Sequence, residues 1–276
     1  MHVLIASYSS SHSAAALEYG LELVQRSGAT GTLVYVVATP NERERGHKLL
    51  QTQAAMAAEK NIEVKTELRL GQPAEQIVHL AYEAACDLII LAAEKSESLF
   101  GPLLSPPSER VLANAPCPVL LVRAGARPPL RLLVLHGGSQ AAQALPNFLN
   151  KAGGILTAGC EVTLLHVMSQ MRADHQVSGW ELSATAEELM NMKAVEGVWL
   201  DEAIALFQPY AGVQVKPKVR HGLVVEEILA EAEEGEYDVL VLGRHASSGW
   251  SAILADNITK EVLEKSKLSL LVFGNR

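Results

Sequence analysis

Cysteine is scarce in this sequence. Cys86, Cys117 and Cys160 are the only three in 276 residues. Three cannot all pair, and none stand at metal-ligand spacing, so neither a disulfide scaffold nor a thiolate metal site is expected. Aromatic residues are also few, with 3 Trp, 6 Tyr and 4 Phe, which argues against a stacking platform for single-stranded nucleic acid. Basic charge is the minority sign: 23 Lys and Arg stand against 31 Asp and Glu, for a net charge of −8. No basic run offsets that balance, so nucleic acid and anionic membrane are not expected partners. No apolar run reaches the roughly 18 residues of a membrane span. The opening Met1-His2-Val3-Leu4-Ile5 has neither the basic region nor the cleavage site of a signal peptide and reads as a first strand. The expectation is a soluble, cytoplasmic protein.

What the sequence does contain is a full core. Hydrophobic residues make up 49% and charged residues 20%, as in globular rather than disordered chains. The length suits two domains of ordinary size, and an internal repeat relates them. Gly71-Gln-Pro-Ala-Glu75-Gln-Ile77 matches Gly222-Leu-Val-Val-Glu226-Glu-Ile228, and Asp87-Leu-Ile-Ile-Leu matches Asp238-Val-Leu-Val-Leu. Val111-Leu112 matches Val262-Leu263, and Val119–Val122 matches Leu270–Phe273, all at one offset of 151 (222 − 71). Near the start the offset is 129, aligning Ser10 with Ser139. The second half therefore carries about 22 extra residues (151 − 129), expected between Ser169 and Leu206.

Each half alternates apolar strand runs with amphipathic helix patterns. In the first, strands are expected at Val3–Ser7, Thr32–Ala38, Glu63–Arg69, Asp87–Ala92 and Pro118–Arg123. Helices are expected at Ser11–Arg26, Glu42–Lys60, Ala74–Ala85 and Glu109–Ala115. In the second, strands are expected at Leu132–Leu135, Glu161–Val167, Gln214–Arg220, Asp238–Leu242 and Ser269–Phe273. Its helices are expected at Gln140–Lys151, Ala184–Phe207, Val224–Ala232 and Asn257–Lys265. This alternation implies an α/β fold with mainly parallel sheets covered on both faces. Arg123–Pro129, with its Gly and two Pro, is the natural linker. The domains are expected at 1–125 and 130–276.

The string Glu109-Arg-Val-Leu-Ala-Asn-Ala-Pro-Cys-Pro-Val-Leu-Leu-Val-Arg123, which follows Asp87-Leu-Ile-Ile-Leu, resembles the universal stress protein family. So do Asp238-Val-Leu-Val-Leu-Gly-Arg-His-Ala-Ser-Ser-Gly249 and the first strand leading into Tyr8-Ser-Ser-Ser-His12-Ser13. The resemblance covers nearly the whole chain, twice over. It implies a tandem member with two doubly wound, five-stranded, adenine nucleotide alpha hydrolase-like domains. It also implies pairing through the last strands, here within the chain, with a homodimer as the further expectation.

In the ATP-binding branch of the family that the sequence resembles, an Asp ends the first strand and contacts the base. A signature of spaced glycines, closed by Gly-Ser or Gly-Thr, then cradles the phosphates at a helix N-terminus. Both halves depart from it. In the first, Tyr8 replaces the Asp, and Ala92, Lys95, Ser105 and Pro106 fill the signature positions. Pro106 and Pro107 lack the N–H donors a phosphate needs, so a Ser105 cap with Pro106 opening the helix is the preferred reading. In the second, Gly243 is kept, Ala246, Asp256 and Asn257 fill the other positions, and Gly137 replaces the Asp. The candidate residues for a nucleotide or small anion are therefore Gly137, Gly138, Ser139, Val167, Gly243, Arg244, His245, Gly249 and Asn257. The cofactor this admits is ATP or another adenine nucleotide in the second domain.

Other chemistry has less support. His136, His166, His221 and His245 fall near the carboxyl ends of expected strands, but neither helical spacing nor an acidic partner marks a metal site, and none is expected. No nucleophile motif, full P-loop or G-x-G-x-x-G is present, so no catalytic residue is assigned. The run from Glu226 to Glu236 reads as a solvated helix face. Trp180, Trp199 and the methionines Met190 and Met192 of the extra segment offer an exposed apolar patch for a partner. The leading expectation is a stress-response protein that binds or interacts without catalysis. The rivals are a nucleotide-responsive switch or slow ATP hydrolase in the second domain, and a scaffold acting through the Trp/Met segment.

Overall fold

A computed structural model describes residues 1–7, 11–93, 106–123, 125–126, 130–137, 141–169, 183–244 and 257–274. The chain divides into two compact units, one built on Met1–Pro128 and the other on Pro129–Asn150 with Leu156–Asn275. In the first unit the strands are β1 (His2–Ser7), β2 (Thr30–Val37), β3 (Val64–Leu70), β4 (Leu88–Ala92) and β5 (Val119–Val122). They form a wholly parallel sheet in the order β3-β2-β1-β4-β5. The helices are α1 (Ser11–Ser27), α2 (Arg43–Glu59), α3 (Pro73–Glu83) and α4 (Pro106–Asn114). The chain winds outward from β1 in one direction and returns to wind out in the other. Right-handed crossovers then put α1 and α2 on one face and α3 and α4 on the opposite one.

The second unit repeats this with β6 (Arg131–Leu135), β7 (Glu161–Met168), β8 (Gln214–His221), β9 (Val239–Arg244) and β10 (Ser269–Gly274). Their order is β8-β7-β6-β9-β10, again parallel. Its helices are α5 (Ala141–Ala152), α6 (Ala186–Asn191), α7 (Val195–Ala205), α8 (Val224–Glu234) and α9 (Asn257–Lys265). The repeat holds to the residue in places. Helices α3 and α4 become α8 and α9 at an offset of 151 at both ends, and Thr30–Val37 becomes Glu161–Met168 at an offset of 131. Twenty of the 22 extra residues (151 − 131) therefore lie between β7 and β8, and two lie before β7.

Central strands are apolar because helices cover both faces. Val3-Leu4-Ile5, Leu88–Leu91, Leu132-Leu133 and Val239–Val241 are fully buried, each such side chain contributing about 1.5–3 kcal/mol of burial. The aspartates of the repeated Asp-Leu/Val motifs serve this frame. Asp87 Oδ2 accepts from His2 N at 2.7 Å, and Asp238 Oδ2 accepts from Leu130 N and Arg131 N at 2.8 Å. Each ties the amino end of its unit's first strand. A second repeated tie joins the edge strand to the third long helix of each unit: Arg69 to Glu83 at 2.9 Å, and Arg220 to Glu234 at 2.7 Å.

The single helix expected over Ala184–Phe207 is two. Thr185 and Glu188 form a capping box that starts α6. Lys193 then turns left-handed (φ 55°), with Lys193 N bonded to Met190 O and Ala194 N to Leu189 O. That is a Schellman ending with lysine where glycine is usual. Gly197 lets α7 pack onto the end of α6, since a Cβ there would collide with the Leu189 carbonyl.

Candidate functional site at the carboxyl edges

In open parallel sheets, ligands bind beyond the carboxyl ends of the strands, where the winding reverses. In the second unit this point lies between β6 and β9. Past the end of β6, His136 N donates to Leu165 O at 2.8 Å, and Gly137 is exposed with open space where a side chain would stand. Gly243 and Arg244 end β9 on the other side. Val167, half-buried, lies on β7 in register with Arg220. Asn257 is the first residue of α9. The fold thus brings Gly137 and Gly243 to one edge, on the two strands that flank the reversal. Gly138, Ser139, His245, Ala246, Gly249 and Asp256 lie outside the described residues, as do Tyr8, Lys95, Ser105 and Trp180.

The role first expected of Gly243 is close backbone approach to a phosphate. Packing accounts for it independently. Gly243 is in register with Phe273, and a Cβ on Gly243 would stand 3.1 Å from the tip of that ring. Phe273 in turn stacks on Phe148 of α5, with centroids 5.0 Å apart. In the first unit the corresponding pair is Ala92 and Val122, also in register. A small side chain opposes a smaller partner there, and no side chain opposes a large one here. At the first unit's edge Ala92 and Ala93 are buried, and Pro106 is the first residue of α4, supplying no N–H. Beside it, Gln53 of α2 donates to Ser7 Oγ at 2.6 Å, a buried pair that leaves Gln53 Oε1 without a partner.

One face of the second unit holds a feature not expected from spacing. His136 and His166 sit side by side on adjacent strands, their ring centroids 6.3 Å apart, and His166 meets the Trp199 ring edge-on at 6.1 Å. His166 Nδ1 donates to His136 O at 2.9 Å. His136 is only 4% exposed, and its Nδ1 has no partner. Burial first, and then the charge of His166, push its pKa down to about 4, so the ring is neutral near pH 7. Trp199 is thereby half-buried rather than part of an exposed patch. Among the described residues of the segment, Met192, Val195 and Val198 are exposed. Among the described residues no group of three or more His, Cys, Asp or Glu could hold a metal ion.

On the opposite face, the glutamate run is not uniformly solvated. Glu231 is 1% exposed and is reached by Lys218 Nζ at 2.6 Å, Arg220 Nη1 at 2.9 Å and Tyr237 OH at 2.6 Å. Burial alone raises a carboxyl pKa, but hydrogen bonds from Lys218, Tyr237 and Arg220 outweigh it and hold Glu231 below the usual range. Tyr237 is pushed up to about 12 by burial and by its bond to Glu231. Glu231 corresponds to Leu80 at the offset of 151, a sign that it occupies a core position. All three cysteines are buried thiols. Burial pushes the Cys86 thiol up to about 11 and Cys117 to about 12, which makes both poor nucleophiles.

Comparison with known proteins bears on both halves. The sequence model of the universal stress protein family matches residues 1–123 and 130–274. A universal stress protein of Methanocaldococcus jannaschii is 37% identical over 81 residues, covering 29% of this chain and 48% of that protein. A universal stress protein E homolog of Haemophilus influenzae is 26% identical over 200 residues, 67% of this chain and 61% of that one. The chain thus spans less than two thirds of either relative's length. The crystal structure of a universal stress protein from Archaeoglobus fulgidus superposes with a TM-score of 0.68 at 19% identity, covering 98% of this chain and 95% of that one. The shared fold is the adenine nucleotide alpha hydrolase-like one, present twice. No helix among the described residues is long and apolar enough to cross a membrane.

Proposed function

Since this chain belongs to the universal stress protein family, we propose that it serves the stress response by binding and protein–protein interaction, without turnover. The observation that carries this reading is the packing of Phe273 against Gly243. It gives the retained signature glycine a role that needs no phosphate. In the first unit, the buried Ala92 and Ala93 and Pro106 at the start of α4, which lacks an N–H, support the same reading. Native mass spectrometry of freshly purified protein tests it. The expected spectrum shows the chain without a stoichiometric nucleotide, and nucleotide retained by both units overturns the proposal.

A second reading is a nucleotide-responsive switch, or a slow ATP hydrolase, in the second unit. The exposed Gly137 with open space above it favours that reading, and one retained adenine nucleotide per chain would support it. A third, a scaffold role, is favoured by the exposed Met192, Val195 and Val198. It is tested by whether Val195→Glu lowers the mass of an assembly in solution. A cytoplasmic location and pairing of the units through Val119–Val122 and Ser269–Gly274, with a homodimer beyond it, complete the proposal on the strength of the family resemblance.

A further inference from the structure

The second unit carries one imidazole on each of three adjacent strands. His136 follows the last β6–β7 register pair, Leu135 with Leu165, so it stands beside His166. On β8, Val219 is in register with His166, and His221 lies two residues further along on the same face. The first unit has Ser7, Tyr35 and Leu70 at these places. The extra segment covers the row at two points. Trp199 of α7 lies against His166. His221 Nε2 donates to Ala184 O at 2.9 Å, two residues before α6 begins, leaving His221 Nδ1 buried without a partner.

We propose that this row makes the α6–α7 helix pair an acid-released latch: protonation of His136, packed against His166, frees the helix pair from the carboxyl edge while the two sheets stay folded. The neutral His136 ring suits the closed state. Each imidazole that bonds a carbonyl donates to it through a ring N–H, and the buried Nδ1 atoms of His136 and His221 are unpartnered acceptors, a smaller cost than a stranded charged N–H. Protonating His136 places a second N–H and a charge where no acceptor stands, against the His166 ring. Among the described residues no carboxylate acts on the His136 ring. Glu187, Glu188, Asp201 and Glu202 of the covering helices are exposed, Glu188 being committed to Thr185. Glu196 is half-buried in the first turn of α7. Helix α5 contains no acidic residue, and Val239–Gly243 of β9 carries no charge. Glu227, beyond His221, is bonded to Arg220 at 2.7 Å on the other face.

The sign follows from linkage. A histidine depressed from 6.5 to about 4 stabilises the closed state fully above pH 6.5 and loses that contribution as pH falls towards 4. The closed-to-open ratio then falls by at most about 30-fold at about pH 5, the bound reached when opening relieves the whole shift. Opening bares the buried Leu189, Leu200 and Phe207.

Hydrogen exchange of the intact chain, corrected for the intrinsic effect of pH, tests this at about pH 7.5 and about pH 5. Protection of Ala186–Ala205 is expected to fall by an order of magnitude or more, while α2 of the first unit and β6 and β9 keep theirs. His136→Gln is expected to remove most of the pH response, and His136→Leu serves the same test if the amide disturbs packing. Unchanged protection of α6–α7 at pH 5, loss in step with α2 and the sheet, or a full pH response in both variants would each overturn the proposal.

Discussion

Replacing Glu231 tests how the second unit uses a buried carboxylate. The side chain is 1% exposed and takes three hydrogen-bond donors. Breaking a buried ion pair by removing one partner costs about 3–5 kcal/mol when the other charge is stranded. Here the stranding is partial. Lys218 is 46% exposed and can rehydrate, and Arg220 keeps Glu227 and Glu234, each at 2.7 Å. Only Tyr237 OH loses a buried acceptor. Glu231→Ala is therefore expected to cost about 2–3 kcal/mol. Glu231→Leu leaves the same three donors without that acceptor but fills the space as Leu80 does in the first unit, and is expected to cost about 1 kcal/mol less than Glu231→Ala. Because the Glu231 pKa is held low, its contribution is full above the ordinary carboxylate range and fades as pH falls below it. Equilibrium denaturation at neutral pH measures both variants, followed by Trp199 fluorescence. Equal losses for the two variants, or a loss for Glu231→Ala under about 0.5 kcal/mol, would refute the reasoning.

Gly243→Ala should destabilise by about 1–3 kcal/mol through overpacking against Phe273. Adding Phe273→Val, which recreates the first unit's Ala92–Val122 pair, should recover part of that loss, seen as a coupling of about 1 kcal/mol in a double-mutant cycle. Gly197→Ala should lower the melting temperature sharply, because the new methyl meets the fixed Leu189 carbonyl. Lys193→Gly should stabilise by about 0.5–1 kcal/mol by relieving a left-handed residue. Thermal melts of the two variants report opposite signs.

Much of the fold is legible in the sequence, because strands buried on both faces must be almost wholly apolar. Leu88–Ala92 and Val239–Leu242 announce themselves that way, and their equal spacing from Gly71 and Gly222 reveals the repeat. The break at Lys193 is hidden, since the apolar pattern runs through it and no glycine or proline marks the turn. The site is less legible for a similar reason. Gly243 looks the same in sequence whether it admits a phosphate or a phenylalanine ring, and only the register with Phe273 separates the two. His136 and His166 lie 30 residues apart, and strand pairing alone makes them neighbours. Glu231 hides within an acidic run on an amphipathic helix, and only alignment with Leu80 sets it apart.

The most direct measurement of the binding-without-turnover account is the melting temperature with and without millimolar Mg-ATP, together with phosphate release. A ligand at a hundredfold excess over its Kd adds about 2.7 kcal/mol of stability to the folded state. Here the melting curve should not move and no phosphate should appear, for the wild type and for Gly137→Ala alike. A rise of several degrees that Gly137→Ala abolishes, or phosphate released in proportion to the protein, would contradict the account.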